Sequence, residues 1–164
     1  MQIHHSLLRR CVELATEALD AGDEPFGSVL ANADGEVLYE SRNRVSGGNA
    51  TLHPEFDITQ WAVAELTARQ RAAARVYTSG EHCPMCSAAH ALVGLGPIVY
   101  ASSTDQLFSW LREWDQELPA FAPLPIAVVA PGVHVSGPFP EYEGRMKDLQ
   151  ARAREVVRPA PDAS

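Results

Sequence analysis

Apolar positions along the chain change their period several times, and the order of those changes predicts the fold. From Ser6 to about Asp20, Leu7, Leu8, Cys11, Val12, Leu14, Ala15, Ala18 and Leu19 recur at helical spacing, which predicts an amphipathic helix with Ser6 as its N-cap, ending near Gly22. Pro25 to Ala31 reads as a strand, Asn32-Ala33-Asp34-Gly35 as a turn and Glu36 to Ser41 as the returning strand, so a hairpin follows. Arg42 to Leu52 is rich in Gly, Asn and Ser and reads as a loop. Behind it, Pro54 suits the first turn of a helix, which Phe56, Ile58, Trp61, Ala62 and Ala68 carry to about Arg71. A strand at Arg75 to Thr78, an Ala-rich helix at Ser87 to Val93 and a strand at Ile98 to Ala101 come next. Asp105 to about Glu117 has helical spacing through Leu107, Phe108, Trp110, Leu111 and Trp114. Ile126 to Ala130 is a continuous apolar run bounded by proline, read as a strand covered on both faces, and a last helix spans Glu143 to Val156. Helix, hairpin, then alternating helix and strand predict an α/β layered fold with helices on both faces of one sheet.

Length and composition narrow what such a fold does. At 164 residues, 46% apolar and 21% charged, the chain is expected to form a single globular domain over residues 1–157, followed by a mobile tail at 158–164. No apolar run approaches the roughly 18 residues of a membrane span, and the N-terminus lacks the order of a signal peptide, so the expected location is cytoplasmic with no membrane partner. Three cysteines, two of them in one motif, do not make a disulfide framework, and Cys11 on the apolar helix face reads as a buried spectator. A net charge of −8 speaks against a phosphate-neutralising surface, so a small molecule is expected as substrate rather than nucleic acid. His4 and His5 are sequence neighbours near a chain end and are not expected to hold a functional metal.

The candidate chemistry lies in His53-Pro54-Glu55 and Cys83-Pro84-Met85-Cys86. Cysteines spaced Cys-x-x-Cys at a helix start place both sulfurs on one face, and a distant histidine can bring one nitrogen to the same point. Three such ligands suit Zn²⁺, and three rather than four leave room for water, the arrangement of catalytic sites. A carboxylate two residues after the histidine is positioned to carry protons there. The alternatives at this point are a thioredoxin-like redox pair and a structural zinc site closed by His82.

His-x-Glu followed by Cys-x-x-Cys, together with Pro25-Phe26-Gly27, Asn43 and Cys-Pro-Met-Cys, resembles the zinc-dependent cytidine deaminase superfamily, in its guanine deaminase and tRNA adenosine deaminase branch. The resemblance covers most of the chain. It implies a three-layer α/β/α sandwich with a mixed central sheet, assembled as a homodimer. It implies one Zn²⁺ on His53, Cys83 and Cys86, with Glu55 moving protons during hydrolytic removal of an amino group from a nucleobase. Asn43 would hydrogen-bond the base and Phe26 would pack near it. Either Glu113 or Asp115 would assist proton transfer, and Trp110 or Trp114 would line the pocket. Pro54 stands where the family usually has Ala, and His82 where it usually has Pro, and both are expected on the pocket wall. The leading expectation is a deaminase of a free base, guanine or a cytosine-like ring. The alternatives are adenosine deamination in tRNA and a non-enzymatic zinc-stabilised binding module.

Overall fold

The structure, a computed structural model, describes residues 3–156, so the expected tail at 158–164 lies outside the described residues. Five strands form one mixed sheet in the order β2-β1-β3-β4-β5. β1 (Gly27–Ala31) and β2 (Val37–Arg42) are the hairpin, and β1 also runs antiparallel to β3 (Arg75–Gly80). β3, β4 (Ile98–Ser102) and β5 (Val135–Ser136) are mutually parallel.

The period-2 alternation of the inner strands divides the core into two layers. Val29, Ala31, Tyr77, Val99 and Ala101 face α1 (His5–Asp20) and α7 (Pro140–Val156). Their neighbours Leu30, Val76, Ile98 and Tyr100 face the other way, packing with Ile58 and Ala62 of α2 (Pro54–Glu65) and with Ile126. α4 (Pro84–Leu92) packs beside α2 in that second layer. The α/β/α sandwich with a mixed sheet is therefore the observed fold. Gly27 is required where α1 crosses β1, because a Cβ there would lie 2.4 Å from Leu14 Cβ and 2.5 Å from the Cys11 carbonyl oxygen.

Several boundaries differ from the sequence expectation. The helix expected to run to Arg71 breaks at Leu66, and α3 (Ala68–Ala73) restarts behind Thr67, whose side chain and that of Gln70 form a reciprocal capping box. α5 spans Thr104–Glu113 behind a second such box on Ser103 and Gln106, so it stops short of Glu117. Ile126 to Ala130 is not a strand: Ile126–Val129 form the short helix α6, whose Ile126 N–H donates to Glu81 Oε1 at 3.0 Å. A distant carboxylate thus satisfies a helix-start donor that propensity alone would have sent to a sheet. α1 starts at His5 with His4 at the N-cap, and Ser6 lies inside the helix.

Candidate metal centre and active site

α2 and α4 start beside each other, each with a proline in its first turn and each with a metal-ligand candidate, His53 or Cys83, as its N-cap residue. His53 Nδ1 lies 3.7 Å from Cys83 Sγ and 3.7 Å from Cys86 Sγ. Tetrahedral zinc with bonds of about 2.1 Å to nitrogen and 2.3 Å to sulfur sets its ligand atoms roughly 3.6–3.8 Å apart, so the donor set fits that ion in type and spacing. Among the described residues this trio is the group of side chains that could hold a metal. The Cys83 thiol is held down to about 4, first by its hydrogen bond with Cys86 and, against burial, also by His53. The partial positive charge at the start of α4 favours the same thiolate, the form that binds metal.

Glu55, in the first turn of α2, is buried. Its Oε1 accepts from the hydroxyls of Thr78 at 2.9 Å and Ser28 at 3.0 Å, while Oε2 lies 3.8 Å from Cys86 Sγ. One carboxylate oxygen is thereby anchored on β1 and β3, and the other points to the metal ligands. Burial raises the Glu55 pKa, with the nearby His53 opposing it, which moves the carboxyl toward the range of a proton carrier.

Beside the ligands opens a cleft of about 720 Å³, walled by Glu24, Phe26, His53, Glu55 and Cys83 on one side and by Phe108, Phe121 and Glu117 on the other. Phe26 is held there by Gly80, where a Cβ would meet its ring at 2.9 Å. Glu81, also on the wall, accepts from Thr104 N at 2.9 Å as well as from Ile126 N, tying the starts of α5 and α6 to the segment that carries Cys83.

The structure places the remaining sequence candidates elsewhere. Asn43 is fully buried: its Oδ1 accepts from Val45 N at 3.0 Å and its Nδ2 donates to Glu24 Oε2 at 3.4 Å, so it stands behind Glu24 and does not line the cleft. Pro54 is buried in the first turn of α2. His82 is also buried, with its ring edge-on to His90 at 5.3 Å and both ring nitrogens without a hydrogen-bond partner among the described residues. It is neither a fourth ligand nor part of the cleft wall, because the chain turns its side chain inward just before Cys83. Trp110 packs in the core under α1; Leu107, one turn before it, packs against the same core and, like Leu111, also reaches the cleft wall. Trp114 is half-buried, with the Arg154 guanidinium 4.7 Å above its ring. Glu113 is exposed and paired with Lys147 at 2.7 Å. Asp115 adopts a positive φ of 53° at the end of α5, a conformation Asp tolerates, and the turn it makes sends Glu117 rather than Glu113 or Asp115 to the cleft.

Residues 1–102 match the family model of the cytidine and deoxycytidylate deaminase zinc-binding region. A probable cytosine deaminase of Schizosaccharomyces pombe is 28% identical over 133 residues, which are 76% of this chain and 81% of that protein. The guanine deaminase of Bacillus subtilis is 40% identical over 85 residues, 51% of this chain and 54% of its own. Among solved structures, guanine deaminase from Nitrosomonas europaea superposes with a TM-score of 0.65 at 20% identity, covering 95% of this chain and 85% of that one, a likeness of fold. The stretch shared with the family model runs from α1 through β4 and holds the whole metal-ligating trio with Glu55, and this chain belongs to the cytidine and deoxycytidylate deaminase zinc-binding family.

Proposed function

We propose that the protein is a zinc-dependent hydrolytic deaminase of a free nucleobase or related aminated heterocycle, a guanine-like or cytosine-like ring. The observation that carries this reading is the pairing of a three-ligand site of tetrahedral spacing with the free oxygen of Glu55, both open to one cleft. The relatives named as guanine and cytosine deaminases support the same class of substrate.

His53, Cys83 and Cys86 would hold the zinc, which would supply the Lewis acidity that brings the pKa of water from about 15.7 toward about 7. Glu55 takes a proton from the attacking water and gives it to the ring nitrogen beside the amine-bearing carbon. A C–O bond forms at that carbon, the second water proton passes through Glu55 to the amine, the C–N bond breaks, and ammonia leaves a carbonyl behind. Oε2 is the atom placed to do this, since Oε1 is held by Ser28 and Thr78. Phe26, Phe108 and Phe121 give the flat ring apolar walls.

Zinc-loaded protein incubated with free bases, nucleosides and s-triazines is expected to release ammonia from at least one free base; release from none would overturn the reading. Further parts of it are a homodimer, supported by exposed apolar side chains at Val63 of α2 and Leu92 of α4, and a cytoplasmic location, consistent with a chain whose cysteines form no disulfide framework. Size-exclusion chromatography with light scattering and localisation of a tagged copy test these.

A further inference from the structure

Glu24 sits on the cleft wall next to Phe26 and the metal ligands, yet nothing in the hydrolytic chemistry uses it. A carboxylate offers about four acceptor positions. Those of Glu24 are almost unfilled: the side chain accepts one long hydrogen bond, from Asn43 Nδ2 at 3.4 Å, and has no ion pair among the described residues. Its neighbour Asp23, by contrast, is satisfied by Arg42 and by the Ser46 backbone N–H. The Asn43 orientation is fixed, because Val45 N–H can only donate and so holds Oδ1, leaving the amide NH₂ to face Glu24. Asn43 therefore turns an amide N–H toward Glu24, which itself lines the cleft. Two thiolates and one imidazole would neutralise a bound zinc, so the metal centre would leave the Glu24 charge uncompensated. A half-buried carboxylate in that condition is stabilised by N–H donors from whatever covers it.

We propose that Glu24 is a specificity-determining residue that reads an N–H donor on the substrate ring, next to the amine-bearing carbon. The assignment rests on the deaminase reading of the same site. The ring then has an unprotonated nitrogen on one side of that carbon, which receives the proton from Glu55, and an N–H on the other side, which Glu24 accepts. Guanine and isocytosine have this arrangement. Cytosine and adenine have carbon in place of the N–H and offer Glu24 no donor there. A site built around a polar contact rejects the analogue that cannot make it, because the half-buried carboxylate is left without a donor once the ring covers it.

The test is ammonia release by zinc-loaded full-length protein from guanine, isocytosine, cytosine and adenine, with zinc content and thermal midpoint measured alongside. The wild type is expected to favour guanine and isocytosine. Glu24→Ala, which removes the acceptor, should lower kcat/KM for those two by a factor of about 10–150 relative to cytosine and adenine, the loss of a hydrogen bond to a charged group. With the wild type alone, 1-methylguanine, whose methyl replaces the N–H, should be turned over slower than guanine by at least about the same factor. Wild-type preference for cytosine or adenine, or equal turnover of 1-methylguanine and guanine, overturns the Glu24 assignment and leaves the deaminase reading standing. An unchanged ratio in folded, zinc-loaded Glu24→Ala does the same. Ammonia from none of the bases overturns both.

Discussion

Thr78 donates its hydroxyl hydrogen to Glu55 Oε1 at 2.9 Å, across the gap between the third strand and the start of the second helix. Ser28 on the neighbouring strand reaches the same oxygen at 3.0 Å and Thr78 itself at 2.9 Å. The carboxylate is thereby kept from rotating. Thr78→Val should lower kcat by a factor of about 10–150, as for a lost hydrogen bond to a buried charged group, with KM and zinc content little changed. Thr78→Ser should restore most of the rate. Steady-state kinetics on the two variants decide this, and a KM effect with kcat preserved would contradict it.

Glu55→Gln keeps the shape of the side chain and removes its ability to carry a proton. Turnover should fall by roughly 10²–10⁴-fold, the usual contribution of a positioned acid–base group, while metal analysis still finds zinc. Loss of zinc along with activity would mean that Glu55 holds the metal rather than the protons.

Cys86 is fully buried between the metal site and the second layer of the core. Cys86→Ala should leave a protein that no longer retains zinc after dialysis and releases no ammonia. A chelator should have the same effect on the wild type, reversible on adding zinc back. Measured zinc per chain checks both.

Glu113 is paired with Lys147 on the surface, outside the cleft. Glu113→Gln should therefore keep kcat/KM close to the wild-type value, whichever base is the substrate. Stability should change by no more than about 1 kcal/mol, the range of an exposed ion pair. A large fall in kcat would return this acid to the proton path.

Asp23 is buried, and although burial alone would raise its pKa, hydrogen bonds from Ser46 and Arg42 hold it below the usual range. Because the folded-state pKa is the lower one, the stabilisation is present in full above about pH 3.9, the unfolded value, and is lost as pH falls through the folded value. Asp23→Asn should cost roughly 1.5–3 kcal/mol at neutral pH. The difference in thermal midpoint between variant and wild type should shrink as the pH is lowered toward 3, about one unit below that unfolded value. A difference that does not change with pH would contradict it.

The parts of the site that could be read along the chain are those whose geometry is local. Cys83 and Cys86 lie within one helical turn, and His53 and Glu55 two residues apart at a proline-marked helix start, so residue type and spacing nearly determine their placement. Ser28 and Thr78 left a weaker signal, as polar residues inside strands buried on both faces, a pattern that calls for a buried partner. Glu24 left none, because its position depends on where Asn43 is held by Val45. Trp110 and Leu111 were indistinguishable by helical spacing, and only packing decides which faces the core and which the cleft. The run at Ile126 shows the same limit for the fold: its apolar character is equally consistent with strand and helix, and a carboxylate 45 residues away settles it.

That carboxylate, Glu81, fastens both ends of the stretch from Thr104 to Ile126 to the metal-bearing segment. Gln116 through Phe121, midway along, line the cleft without belonging to the metal-ligating trio. The molecule therefore has a replaceable wall: insertions, deletions or exchanges there can reshape what the enzyme accepts while the reaction centre keeps its geometry, a natural place for selectivity to diverge and for an engineer to begin.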